Sequence, residues 1–321
     1  MVSIEVKSRS RSLKGLSSDE LTIDSYVSEL VDSIAKSNHT YASRIRITIL
    51  DPATGKHRPL LGYKTFAENG ITKSDSETIQ LTIKDLGPQI SWRTVFKIEY
   101  VGPLLIHPPL YYYFSQYGQY NQNQILAFYF VIFHFLKREY ESFFVHKFSN
   151  DTMPIFNIFK NSGHYWILSG FNLAYFIYGA TADQPIPFIT LSETARKYIF
   201  YVNDFPSYIN YAIVALFLFA EVSNLISHLI LSNIRKGDDT KKYVIPYGYA
   251  FKLVSCPHYF FESVSWFAYS ILVGNWSSWL FLGVATVQMF IWAVARHKRY
   301  LKTFGDEYKK LRRAIYVPYL L

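Results

Sequence analysis

Residues 246–266 read PYGYAFKLVSCPHYFFESVSW and gather His258, Tyr259 and Glu262 within one apolar stretch. A phenol can give a proton to a carbanion or enolate when neighbouring charge lowers its pKa from about 10. Polar groups of this kind are costly at membrane depth, and where they persist they line a reaction or transport site. The bland reading is that one tyrosine among 27 serves as an interfacial anchor. A second group lies in FAEVSNLISHLILSNIRK, residues 219–236. Spacings of four and seven put Glu221, Asn224 and His228 on one helix face, with Arg235 further along the same stripe. Such a stripe faces protein or a cavity, and interhelical hydrogen bonding alone would account for Asn224. In FKIEYVGPLLIH, Lys97 and Glu99 enter the first apolar run, where a carboxylate needs a partner or a task unless it snorkels to the interface. Lys298, Arg299, Lys302, Tyr308 and Lys309 are suited to phosphate groups, although a solvated basic tail is the default for such a run.

The elements that must position these groups differ along the chain. Residues 1–92 are charged and mixed, whereas most of 93–296 is rich in Phe, Tyr, Leu and Ile. The mean hydropathy of +0.05 averages these two halves. An aromatic share of 18% suits interfacial belts and an aromatic cavity. The net charge of +9 comes from clusters beside apolar runs, such as Lys137/Arg138 and Arg296 to Arg313. That distribution follows the positive-inside rule and argues against a nucleic-acid partner. The single cysteine, Cys256, excludes an intrachain disulfide framework and a cysteine-rich zinc site. Met1 is followed by polar sequence, so the first apolar segment is expected to act as the targeting signal.

Alternation in 2–8 and 43–50 predicts strands, and 24–37 predicts a helix with Tyr26, Leu30, Val31 and Ile34 on one stripe and Asp24 as N-cap. LTIDSY and TIQLTIKDL supply further β-type pieces. A strand–strand–helix–strand–strand order resembles a ubiquitin-like β-grasp (α+β) head, with a generic α+β cap as the alternative. Apolar runs near 94–114, 124–136, 162–180, 206–231, 249–273 and 277–295 predict a multi-span α-helical membrane protein. Basic loops around 137–161 and 232–245 and a basic tail give six transmembrane helices with both termini cytosolic. A seventh stays open because Pro246, Gly248 and Pro257 break the fifth region. No GxG, P-loop or GxSxG elbow is present, and the histidines do not fall in di-iron spacings.

Three stretches carry a resemblance that covers nearly the whole chain: DLGPQISWRTVFKIEYVGPLL (85–105), HKFSNDTMPIFNIFKNSGHYW (146–166), and the run from Asn224 to the end. They resemble the very-long-chain trans-2-enoyl-CoA reductases, ER enzymes of fatty-acid elongation within the steroid 5α-reductase superfamily. LGPQISWR and TMPIFNIFKN mark the enoyl reductase branch, while IPYGYAF, CPHYFFESVSW and HKRYLKTFGDEYKKLRRA are superfamily signals. The resemblance implies a ubiquitin-like cytosolic domain at 1–86 and a catalytic membrane domain at 87–321. It implies NADPH-dependent reduction of the C2=C3 bond of a very-long-chain trans-2-enoyl-CoA, with hydride to C3 and a proton to C2. By resemblance Tyr259 is the proton donor, and Glu99 orients the substrate carbonyl or polarises that donor. Asn224, His228, Arg235, His258 and Glu262 fall where the superfamily grips its dinucleotide, with Lys298 and Tyr308 as further cofactor contacts. Arg138 and Lys147 are implied contacts of the CoA substrate. ER membrane lipids and other fatty-acid elongation enzymes are the implied partners. His228 and His258 replace an acidic residue and an Asn of the steroid reductases, which argues against steroid specificity. A membrane methyltransferase of the isoprenylcysteine type would need an Arg-His-Pro order that Cys256-Pro257-His258-Tyr259 lacks. A non-catalytic ER scaffold would have no need of costly intramembrane polar groups.

Overall fold

In the computed structural model the described residues are 3–18, 21–52, 54–71, 78–147, 151–181, 191–234 and 243–320. The chain divides into two compact units, one of 1–91 with 152–156 and one of 92–151 with 157–321.

In the first unit, β1 (Ile4–Ser8), β2 (Leu16–Ser18), α1 (Val27–Ser37), β3 (Ile45–Leu50), β4 (His57–Pro59) and β5 (Ile79–Asp85) follow in order. The sheet order is β2-β1-β5-β3-β4, with β1 and β5 parallel and the other pairs antiparallel. Period-2 alternation sends Ile4, Val6, Leu81 and Ile83 inward, where they meet Leu30 and Ile34 of α1 and the ring of Phe66. Two local expectations are corrected. Tyr26 rather than Asp24 caps α1, because the Glu29 carboxylate accepts from the Tyr26 backbone N–H and closes a capping box. LTIDSY forms no strand beyond a single bridge from Tyr26 to Thr65, since the Ser25 hydroxyl accepts from the Thr22 N–H and turns the segment on itself. A short ribbon of β6 (Gln89–Ser91) and β7 (Thr152–Pro154) completes this unit.

The second unit is mostly helical. It contains α2 (Trp92–Ser115), α3 (Gln122–Tyr140), α4 (Asn157–Ser162), α5 (Leu173–Tyr178), α6 (Glu193–Ile199), α7 (Ser207–Asn233), α8 (Pro257–Val273), α9 (Trp276–Phe304) and α10 (Asp306–Lys309). Two π-helical stretches, Glu141–Val145 and Gly163–Asn172, interrupt the ordinary helical register. Among the described residues, α7 and α9 are long and apolar enough to cross a membrane, with hydropathies of 1.9 and 1.7. The fifth apolar run is broken, as its prolines and glycine require: a single turn at Tyr249–Lys252 precedes α8, which starts at Pro257. The surface of α7 is inverted relative to a water-soluble helix. Its exposed positions include Leu216, Leu218, Phe219, Val222 and Leu229, and its buried ones include Asn210, Glu221, Asn224, Ser227 and His228. Apolar outside and polar inside is the pattern of a helix solvated by lipid.

Helices α8 and α9 form a tight antiparallel hairpin. Gly274 ends α8 at φ +67°, and a Cβ there would lie 2.5 Å from the Asn203 side chain, so both conformation and space demand glycine. The Asn275 side chain then accepts from the Ser277 N–H and starts α9. Helix α2 meets the second π stretch equally closely at Gly102, where the Trp166 ring would be 2.2 Å from an added Cβ. Trp166 fixes that contact by donating to the Ile98 carbonyl at 2.8 Å.

In the first unit Arg44 donates to Asp85 through Nε (3.1 Å) and Nη2 (2.6 Å), a bidentate pair joined by Ser12 and the Gly87 N–H. The guanidinium hydrogen bond holds the Asp85 carboxyl well below the usual carboxylate range. A depressed folded-state pKa means this contribution is complete above the unfolded aspartate value of about 3.9 and is lost as pH falls towards the folded value. In the full chain, Asp85→Asn should speed amide exchange in β3 and β5 at neutral pH and flatten the acid dependence between about pH 5 and about pH 2. An unchanged acid profile would contradict this.

Candidate functional site

The second unit encloses a network of charged side chains contributed by α3, α7, α8 and the first π stretch. Helix α3 presents His134, Lys137 and Arg138 inward, with the π stretch adding Glu141. Across from them α7 presents Glu221, Asn224 and His228, and α8 presents His258 and Glu262. His134 lies between two carboxylates, Nδ1 at 2.7 Å from Glu221 and Nε2 at 3.2 Å from Glu262. Lys137 pairs with Glu221 at 2.6 Å and donates to the Asn224 carbonyl oxygen at 2.7 Å. Asn224 in turn donates to Glu262 at 3.0 Å and to the His258 backbone carbonyl at 2.8 Å. Arg138 donates to Glu141, to the Tyr100 hydroxyl at 2.7 Å, and lies 3.2 Å from His228 Nδ1. Three carboxylates are thus matched by two permanent cations and the ring of His134, which is how buried charges become tolerable.

The π stretch is what brings Glu141 into this set. Its i→i+5 bond, from the His146 N–H to the Glu141 carbonyl at 2.7 Å, breaks the 3.6-residue register that continues from α3. Glu141, His146 and His228 then bring one ligand-type atom each to within 4.8 Å of the others. The Arg138 guanidinium, bonded to Glu141 and close to His228, already supplies the positive charge that a divalent ion would bring there.

Several sequence-selected residues meet in this region. His228, His258, Asn224, Glu262 and Arg138 belong to it, with the His258 ring 5.6 Å from that of His228. Tyr259 follows directly, its ring 4.2 Å from that of His258. Glu99 is buried on α2, and Arg138, Asn161 and Tyr100 are its neighbours. Asn224 and Glu262 are occupied by each other and by α3, so they hold the site together more than they face an incoming group. By contrast, Glu99 Oε2 and His258 Nδ1 are buried without a hydrogen-bond partner. Tyr308 sits in a separate cluster, 2.7 Å from the Ser255 hydroxyl and stacked on Tyr300. Lys298 is exposed on α9, Lys147 is exposed just beyond His146, and Arg235 lies outside the described residues.

Sequence reasoning missed His134, Lys137 and Glu141 as members of one site, and gave Glu221 no role beyond its place on the α7 stripe. Glu221 alone carried a usable signal, the helical stripe it shares with Asn224 and His228. The partners on α3 are more than 80 residues away, as in the 87-residue separations of His134–Glu221 and Lys137–Asn224.

The family model described as 3-oxo-5-alpha-steroid 4-dehydrogenase matches residues 151–321. The chain is 41% identical to a putative enoyl reductase of Schizosaccharomyces pombe, over 100% of both chains. It is 36% identical to the very-long-chain enoyl-CoA reductase of Dictyostelium discoideum, again over 100% of both. A probable very-long-chain enoyl-CoA reductase of Caenorhabditis elegans is 35% identical over 83% of this chain and 82% of its own. The chain therefore belongs to the steroid 5α-reductase superfamily and, within it, to the very-long-chain enoyl-CoA reductases.

The network also yields a stability test. Lys137→Met leaves Glu221 without its ammonium partner in an apolar bundle, which should cost about 3–5 kcal/mol. Thermal unfolding of the detergent-solubilised protein reads this directly. A wild-type midpoint would show that the pair contributes nothing.

Proposed function

We propose that this protein reduces the C2=C3 double bond of very-long-chain trans-2-enoyl-CoA substrates with NADPH, the saturating step of fatty-acid elongation. The observation that carries the reading is a tyrosine, Tyr259, set beside His258 at the edge of a buried ionic site in a chain of the enoyl-CoA reductase family. The residues fit a polar ligand of the dinucleotide kind, because His258 Nδ1 is buried with no protein partner while Asn224 and Glu262 brace it from behind. His228 and His258, braced by Asn224 and Glu262, would hold NADPH from the membrane side, with Arg235, Lys298 and Tyr308 on the cytosolic side. NADPH, when bound, supplies the hydride that C3 receives.

The remaining work falls to the protein's own side chains. The Tyr259 hydroxyl gives its proton to C2 of the enolate, and Glu99, with its free Oε2, orients the thioester carbonyl. Arg138 and Lys147 lie towards the CoA end, while the aromatic interior takes the acyl chain. Around this chemistry we place a six-span ER membrane domain from 87 onward with both termini cytosolic. A ubiquitin-like head at 1–86 is the surface through which other elongation enzymes are met. The sheet order of the first unit and the apolar exterior of α7 support these assignments.

The test is NADPH oxidation by purified, detergent-solubilised protein with a C18–C26 trans-2-enoyl-CoA, run beside Tyr259→Phe. Wild-type turnover with a fall in kcat of at least about 10²-fold in the variant is expected for loss of the general acid. Absence of turnover from a folded wild-type sample would overturn the reaction. Near-normal turnover in Tyr259→Phe would overturn the donor.

A further inference from the structure

Residues 314–316 fold back onto the segment that starts α8 and carries the proposed donor. Ala314 pairs with Val254 in a single parallel bridge, its N–H donating to the Leu253 carbonyl and its carbonyl accepting from the Ser255 N–H, both at 2.9 Å. The Ser255 hydroxyl is fully buried, 2.6 Å from His297 Nδ1 on α9 and 2.7 Å from the Tyr308 hydroxyl on α10. Two residues beyond Ala314, Tyr316 is buried at 4% exposure, its ring edge-on to Phe260 of α8 at 6.5 Å and to Phe290 of α9 at 5.8 Å. Its hydroxyl lies 3.1 Å from the Tyr259 backbone carbonyl and bonds the Ser263 hydroxyl, which is 3.0 Å from that of Thr286 on α9. A carbonyl has no hydrogen to give, which sets the direction of the whole chain. Tyr316 donates to Tyr259, Ser263 donates to Tyr316, and Thr286 donates to Ser263.

We propose that Tyr316 is a positioning residue, whose hydroxyl holds the first turn of α8 at the rotation that aims the Tyr259 side chain. The proposal rests on the reading of Tyr259 as proton donor. The first turn of a helix is held by few bonds of its own, because its N–H groups have no intrahelical partners. Here Cys256 caps α8 without a side-chain hydrogen bond and Pro257 follows it, so the restraint must come from elsewhere. The bridge at Ala314 fixes the residues before the helix, and Tyr316 fixes the turn that bears Tyr259. The Tyr259 carbonyl has two lone pairs, so the phenol can bond it while the helical N–H four residues on bonds it as well. With Trp292 against the Tyr259 ring at 5.9 Å, the backbone and the ring of the donor are both held from outside α8.

The experiment compares Tyr316→Phe, Thr286→Val, Tyr259→Phe and the double variant Tyr259→Phe/Tyr316→Phe in NADPH oxidation with a C18–C26 trans-2-enoyl-CoA. Tyr316→Phe keeps the ring and removes only the hydroxyl. It should lower kcat about 10-fold with the KM for NADPH and for the enoyl-CoA unchanged, since misplacing a reacting group by about 1 Å can cost about 10²-fold. The solvent deuterium isotope effect on kcat should rise, because the slowed step is the proton transfer. Thr286→Val removes a hydroxyl from the same chain without touching Tyr316 or Tyr259, and should keep the wild-type kcat. In the Tyr259→Phe background no donor hydroxyl remains to be aimed, so Tyr316→Phe should change the residual kcat by less than about twofold. Should Tyr316→Phe fail to fold, Ser263→Ala reads the same coupling as a smaller fall that also vanishes in that background. Wild-type kcat in Tyr316→Phe while Tyr259→Phe is inactive would overturn the proposal. So would an equal fall in Thr286→Val, or a fall equally large with and without the Tyr259 hydroxyl, either of which marks a purely structural role. Near-normal turnover in Tyr259→Phe would instead remove the donor reading on which the proposal stands.

Discussion

Glu141, Glu221 and Glu262 lie inside a bundle whose outer helices turn leucine and phenylalanine outward, and their presence there is possible because α3 delivers a matching set of cations and donors. An unpaired carboxylate in such a setting would cost several kcal/mol, about as much as half the stability of an ordinary domain. The pairing therefore constrains how α3, α7 and α8 pack. Lys137 must reach Glu221, His134 must sit between Glu221 and Glu262, and Asn224 must reach back to the first turn of α8. Sliding any of these helices by one turn, about 5.4 Å, would separate the pairs. The register that satisfies the charges is also the register that sets His258 and Tyr259 at the edge of the network.

The opposite end of the bundle is built differently. There the interhelical bonds come from amides: Asn123 donates to the Leu272 carbonyl, Gln124 to the Ile177 carbonyl, Asn210 to Asn123, and Asn275 to two carbonyls beside α6. Amides cost less to bury than charges and tie helices together with little consequence for chemistry. Ions at one end and neutral amides at the other separate a reactive region from a structural one.

Much of this was legible in the sequence because it depends on period. The strands of the first unit follow alternation in 2–8 and 43–50, and the polar stripe of α7 follows from spacings of four and seven. What stayed hidden depends on pairing between distant segments. By composition Lys137 and Arg138 read as a basic loop, Arg138 gaining a CoA role from the resemblance alone, because two cations after an apolar run look the same whether they meet water or a carboxylate 80 residues away. Glu141 was out of reach for a second reason: a π turn rotates it off the face that an unbroken α-helix would give it. The cap at Tyr26 was misplaced because asparagine and aspartate preferences are averages, and here Glu29 supplied the capping carboxylate instead.

The distribution of satisfied and unsatisfied atoms separates scaffold from site. Asn224 and Glu262 lie on the stripe that sequence reasoning ties to ligand binding, yet their polar atoms are taken up by α3 and α8. Glu99 Oε2 and His258 Nδ1, on different helices, are left without partners in the interior. They are two of several buried polar atoms without a hydrogen-bond partner, and each costs free energy that a bound polar group would return. Tyr259 stands next to one of them and Arg138 near the other, so both open atoms lie against the ionic network. A rigid charged scaffold behind a few unsatisfied atoms and one positioned phenol is the arrangement expected of a site that binds a polar ligand and moves a proton in a low-dielectric interior.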